Sequence, residues 1–154
     1  PCCNAHGIST ADESEAAAIE FALANLNVKN IIVCGHSECG AINALINGRD
    51  KVPFPNLKSW LRHADKAILP ENLKLITTGP KEYHNKISQI NVLMQMENLK
   101  SYPIVKEKIE RGDLEIHGWW FDLASVSVHY YNQSEKEFIL IDEEHGKELL
   151  RKIK

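Results

Sequence analysis

The chain has 154 residues, 44% of them hydrophobic and 25% charged, and a formal net charge of −3. That length suits one domain with a sizeable core, and that balance is the balance of ordinary globular proteins. The charge offers no basic surface for nucleic acid or an anionic membrane, and no apolar run approaches the ~20 residues that span a bilayer.

The chain opens on PCCNAHGISTADESE, which is polar and has no apolar signal-peptide core. The four cysteines are Cys2, Cys3, Cys34 and Cys39. Adjacent Cys2 and Cys3 make a poor disulfide, and the other two sit in a metal-like context. A reducing, cytoplasmic compartment is expected. Residues 12–26 predict a helix, with Asp12 and Ser14 as cap oxygens and acidic residues in the first turn. Ile31-Ile32-Val33-Cys34 is a continuous apolar run, expected to form a strand buried on both faces. A helix is expected over 39–46, ending at Asn47-Gly48. Helix, loop, buried strand, helix is an α/β signature.

A Pro-containing loop follows, then predicted helices over 57–67 and 81–99 and a further helical stretch to Arg111. Gly112-Asp113 reads as a turn. Residues 114–123, 125–132 and 138–141 read as strands, and 142–153 as a charged terminal helix. The expected fold class is α/β, a mainly parallel central sheet flanked by helices. A central strand needs two neighbours, and the later strands supply one. Either a partner chain fills the gap, or the single domain over 1–154 is incomplete at its N-terminus.

The chemistry concentrates in Val33-Cys34-Gly35-His36-Ser37-Glu38-Cys39-Gly40. His36 and Cys39 fall where the strand ends and the next helix begins, the place where α/β sheets build sites. Backbone dipoles favour a thiolate at a helix start. Imidazole plus thiolate is a zinc-type donor pair. Gly35 and Gly40 are expected to let the backbone turn tightly around an ion. The bland alternative is a turn with an incidental His and a buried Cys. Zinc catalysis normally uses three protein donors, and the sequence shows two; Cys2, Cys3 and His6 are the other nearby candidates.

Other residues have plainer readings. Cys34 is expected to be buried in its strand and His117 to be a packed structural histidine. His63 and His84 are expected to be solvated on helices, and His129 and His145 to lie at the surface. Trp60, Trp119 and Trp120 are read as core or subunit contacts.

The stretch AAAIEFALANLNVKNIIVCGHSECGAINALI closely resembles the β-class carbonic anhydrases. So do LKSWLRHA, Asn91-Val92 with Gln95 and Asn98-Leu99, YPIV, and residues 114–119 with Phe121-Asp122, all in order. The resemblance implies reversible hydration of CO2 to bicarbonate by zinc-bound hydroxide, with one Zn2+ per subunit. It implies His36 and Cys39 as two ligands, and Gly40 and Ala41 are expected to line the substrate pocket. The family's first ligand belongs to a C-x-D-S-R motif, which does not occur in these 154 residues, and neither do the family's first strands or N-terminal clasping helices. The resemblance also implies a homodimer or homotetramer. The alternatives are a non-catalytic scaffold or interaction subunit that has lost its metal, and a zinc hydrolase of COS or CS2 on the same fold.

Overall fold

The computed structural model describes residues 13–70 and 79–152. In order these form α1 (Glu13–Ala24), β1 (Asn30–His36), α2 (Gly40–Ile46), a 3-10 turn (Arg49–Lys51), α3 (Pro55–Leu61) and a 3-10 stretch (Arg62–Ile68). Then come α4 (Pro80–Lys100), α5 (Pro103–Glu110), β2 (Glu115–Asp122), β3 (Ser127–Asn132), β4 (Glu137–Leu140) and α6 (Glu143–Lys152). The expected helix over 57–67 is in fact two pieces, α3 and the tighter 3-10 stretch. Cys2, Cys3, His6 and Asp12 lie outside the described residues.

Local chemistry sets the boundaries. Pro55, Pro80 and Pro103 each stand at a helix start, where a missing N–H costs nothing and the ring pre-sets φ. The residues before them, Phe54, Gly79 and Tyr102, are extended, as a following proline requires. α5 ends in a Schellman motif. Gly112, at φ 74°, donates to the Ile109 carbonyl, and Asp113 N–H returns to the Lys108 carbonyl at 2.8 Å.

The sheet order is β1-β2-β3-β4. β1 and β2 are parallel, from Asn30 opposite Glu115 to His36 opposite Phe121. β2–β3 and β3–β4 are antiparallel. The α/β class therefore stands, with helices packed against a mixed sheet. Among the described residues nothing pairs with the outer edge of β1, so the later strands do supply only one neighbour.

α4 packs across β1 and β2. The main core gathers Leu23, Val92, Met96, Tyr102, Val105, Leu114 and Ile116. A smaller cluster of Ile42, Ala67 and Ile87 joins α2 and α4, and Cys39 packs against it. Two glycines permit the close approach. A Cβ on Gly35 would lie 2.6 Å from Val92 Cγ2, and one on Gly118 would lie 2.7 Å from Met96 Sδ. Both distances are below contact, so only glycine fits without a shift.

β1 corrects one expectation. It is not buried on both faces: Ile31, Val33 and Gly35 are half-buried towards α4, while Ile32, Cys34 and His36 are exposed. An unbroken apolar run hides this alternation, because the period-2 signal needs a polar residue to mark the open face. Cys34 is therefore an exposed residue on the same face as His36, since positions i and i+2 of a strand share a face.

Candidate metal centre

His36 is the last residue of β1, and Cys39 is the N-cap of α2. Two residues, Ser37 and Glu38, make the connection. The tight turn falls at Glu38, which takes a left-handed φ of 55°. Among non-glycine residues this conformation is uncommon and costs energy. It corrects the expectation for the glycines. Gly35 serves helix-on-strand packing rather than the turn, and a Cβ on Gly40 would meet no atom within 4 Å.

The peptide joining His36 to Ser37 is fixed at both ends. Its N–H donates to the Phe121 carbonyl at 2.9 Å. Its carbonyl accepts a 2.8 Å hydrogen bond from Ser88 Oγ on α4. The His36 ring then closes on the next carbonyl, with Nδ1 2.8 Å from Ser37 O. A carbonyl can only accept, so Nδ1 carries a proton, and in the neutral ring Nε2 keeps its lone pair. That is the tautomer a metal-binding histidine needs when it coordinates through Nε2.

Ser37 itself is fully buried. Its hydroxyl donates to Asp122 Oδ1 at 3.1 Å and accepts from Leu123 N–H at 2.9 Å. Asp122 also receives Ser125 Oγ at 2.8 Å and Ala124 N–H at 3.1 Å. The bonds from Ser125, Ala124 and Ser37 hold its carboxyl below the usual carboxylate range. Asp122 thereby fastens the end of β2 to the end of β1.

α4 supplies a second fastening. His84 Nε2 lies 3.1 Å from the Cys39 carbonyl, so it is the donor there. The same carbonyl accepts Asn43 N–H at 2.9 Å inside α2. Lys81 Nζ is 3.6 Å from Glu38 Oε1, an exposed pair of little energetic weight. A recess of about 270 Å³ opens beside this turn, lined by Glu38, Gly40, Asn43, Lys81, His84 and Asn85. Gly40 lines it; Ala41 does not.

The structure thus brings His36 and Cys39 to one short turn at the carboxyl end of β1. Among the described residues no group of three or more His, Cys, Asp or Glu side chains is placed to hold a metal ion. The two that are present suit zinc: one imidazole with its Nε2 lone pair available, and one partly buried thiol that makes no cap hydrogen bond.

The surrounding residues include some that the sequence reading missed. His84 is not simply solvated; it is half-buried and holds the Cys39 carbonyl. Ser88 was unremarked. Both continue a four-residue stripe, His84, Ser88, Val92 and Met96, along one face of α4. Polar residues extending an apolar helical stripe were the available signal. His129 is not a plain surface residue either. It is half-buried and meets Trp120 edge-on, with centroids 5.7 Å apart. His117 is the structural histidine expected, half-buried with Nε2 2.8 Å from Asn30 Oδ1. Trp120 is buried, whereas Trp60 is half exposed.

An α/β sheet thus delivers an H-x-x-C turn at a strand end, pinned from behind by α4. The sequence profile of the carbonic anhydrase family matches residues 3–128, and the chain belongs to that family, in its β class. It is 32% identical over 124 residues to carbonic anhydrase 1 of Escherichia coli O157:H7, covering 80% of this chain and 56% of that protein. It is 35% identical over 136 residues to a carbonic anhydrase of Synechococcus elongatus, covering 86% and 49%. The solved β-carbonic anhydrase CcaA superposes with a TM-score of 0.75 at 31% identity, over 86% of this chain and 65% of that one. A tetrameric β-carbonic anhydrase of Sordaria macrospora gives 0.69 at 33%, over 80% and 62%. The chain spans about half the length of these two curated relatives. No described helix is long and apolar enough to cross a membrane.

Proposed function

We propose that this chain belongs to a zinc-dependent carbonic anhydrase that interconverts CO2 and bicarbonate. His36 and Cys39 are two of the zinc ligands, and the third protein donor lies outside the described residues. The observation that carries this reading is the His36 ring, held by the Ser37 carbonyl with Nε2 free, one short turn from the Cys39 thiol. Family membership supports the reaction class.

Bound zinc would supply Lewis acidity that turns water into a nucleophile near neutral pH. The chain's own residues do the positioning. His36 offers Nε2 because Nδ1 is committed to Ser37 O. Cys39 is carried by α2, whose start is held to α4 by His84. Ser37 and Asp122 keep the turn against β2. Gly40 and Ala41 sit at the first turn of α2; of the two, Gly40 lines the recess beside the turn, and its lack of a side chain leaves space there for a small substrate. The physiological unit is a homodimer or homotetramer in the cytoplasm. The oligomer is supported by the tetrameric relative.

The test is zinc per chain by elemental analysis on the purified protein, with intact mass and CO2 hydration measured on the same sample. About one zinc per chain is expected. Cys39→Ala and His36→Ala should each lose both metal and hydration activity while remaining folded. A wild-type protein that stays metal-free when zinc is supplied would sink this reading and favour a scaffold role.

A further inference from the structure

The carbonyl of His36 is met by a buried chain of two hydrogen bonds. Ser88 Oγ lies 2.8 Å from that carbonyl, and Trp120 Nε1 lies 3.2 Å from Ser88 Oγ. The proton order follows from chemistry alone. An indole N–H can only donate and a carbonyl can only accept. The hydroxyl must therefore receive from Trp120 and give to His36. Ser88 is 3% exposed and Trp120 4% exposed, so water does not compete for either. In such surroundings successive hydrogen bonds strengthen one another, and a missing partner is costly.

Gly35 leaves the room this chain occupies. The nearest atoms to a Cβ built there are Val92 Cγ2, Ser88 Oγ and Trp120 Cδ1, the last two at 3.5 Å. The residue before His36 is thus the opening through which α4 and β2 both reach the end of β1. The carbonyl they hold belongs to the same peptide whose N–H is taken by Phe121, and the following carbonyl orients the imidazole.

We propose that Ser88 and Trp120 are positioning residues for the His36 imidazole. Trp120 sets the Ser88 hydroxyl, Ser88 fixes the His36–Ser37 peptide, and that peptide fixes the ring tautomer and the direction of Nε2. The role given to His36 rests on the zinc reading; the hydrogen-bonded chain does not. When the Ser88 hydroxyl is removed, the peptide can rock about its remaining N–H bond. The Ser37 carbonyl then no longer holds Nδ1–H in one place. Metal-ligand partners of this kind typically contribute about 10–100-fold in metal affinity.

The experiment uses the full-length protein and three variants, Ser88→Ala, Trp120→Phe and the double variant. Two quantities are read. One is the tautomer of His36 in the metal-free protein, from its ring nitrogen resonances at a pH well above the ordinary imidazole pKa of ~6.5. The other is Co2+ affinity against a competing chelator, with the thiolate-to-cobalt absorption band as its signature. The wild type should hold one Nδ1–H tautomer. Ser88→Ala should show a mixture and lose about tenfold in Co2+ affinity. Trp120→Phe, which keeps an aromatic ring but removes the donor, should show the same changes at smaller size. The double variant should match Ser88→Ala in tautomer population, because Trp120 acts through Ser88. If Ser88→Ala does not fold, Trp120→Phe alone decides. A single Nδ1–H tautomer retained in the folded variants overturns the proposal, whatever happens to stability or Co2+ uptake. A wild type that takes up no Co2+ counts against the zinc reading, and the tautomer populations still decide the positioning role.

Discussion

The two faces of β1 are built to different standards. Towards α4, Ile31, Val33 and Gly35 pack so closely that a single methyl at Gly35 would collide with Val92. On the other face Ile32, Cys34 and His36 stand in the open, Ile32 with 48% of its surface exposed. One strand thus carries a face that fixes position and a face that presents the side chains of Cys34 and His36. The lesson is that the placement of His36 is set from behind. The residues that aim it, Ser88, Trp120 and Phe121, belong to α4 and β2 and touch its backbone or its neighbours rather than the open side of its ring.

The contrast is sharpest at Gly35. Gly35→Ala should destabilise the fold by roughly 1–3 kcal/mol, the usual cost of overpacking a tight core. Urea denaturation would measure it, and Val92→Ala in the same chain should return part of the loss by vacating the 2.6 Å contact. A Gly35→Ala protein as stable as the wild type would erase the distinction between the faces.

A smaller effect should appear at the end of β2. The hydrogen bonds to Asp122 lower its folded-state pKa below the unfolded value of ~3.9. The unfolded chain therefore takes up the proton first as pH falls. The stabilisation is fully present above about pH 5 and is lost as pH drops through the folded pKa. Comparing urea midpoints near neutrality with those at about pH 3 should show a shallower acid loss in Asp122→Asn than in the wild type. An equal acid loss in both would remove Asp122 from the fastening of β1 to β2.

The smallest effect belongs to the open face. Ile32→Ser should change stability by no more than ~0.5 kcal/mol, as surface substitutions usually do. A loss as large as that of Gly35→Ala would mean that the open face of β1 is covered in the working protein, and a loss that varies with protein concentration would assign the cover to a second copy.

Much of this architecture was legible in the sequence. The elements fall within a few residues of their expected bounds, because apolar periodicity and prolines at helix starts are local signals. The H-x-x-C turn at a strand end was legible for the same reason. The fastenings were not. Ser88 and His84 lie on α4, 52 and 45 positions from the backbone atoms they hold. The stripe on α4 marks Ser88 and His84 as facing inward, but no local pattern says which distant carbonyl each will meet. The conformation of Glu38 was also hidden, since a glutamate carries no propensity for positive φ. The exposure of Cys34 was hidden by its apolar neighbours, which made a one-sided strand read as a two-sided one.

The Ser37–Asp122 bond joins residues 85 apart, and the parallel register of β1 with β2 spans the same gap. Contacts of such high sequence separation form late, because the entropy of closing the loop must be overcome before they return any stability. During synthesis, β1 and α2 emerge long before β2 does. The H-x-x-C turn therefore spends the first part of its life without Phe121, Trp120 or Asp122 to hold it, and its geometry is completed only when the ribosome has moved past residue 122.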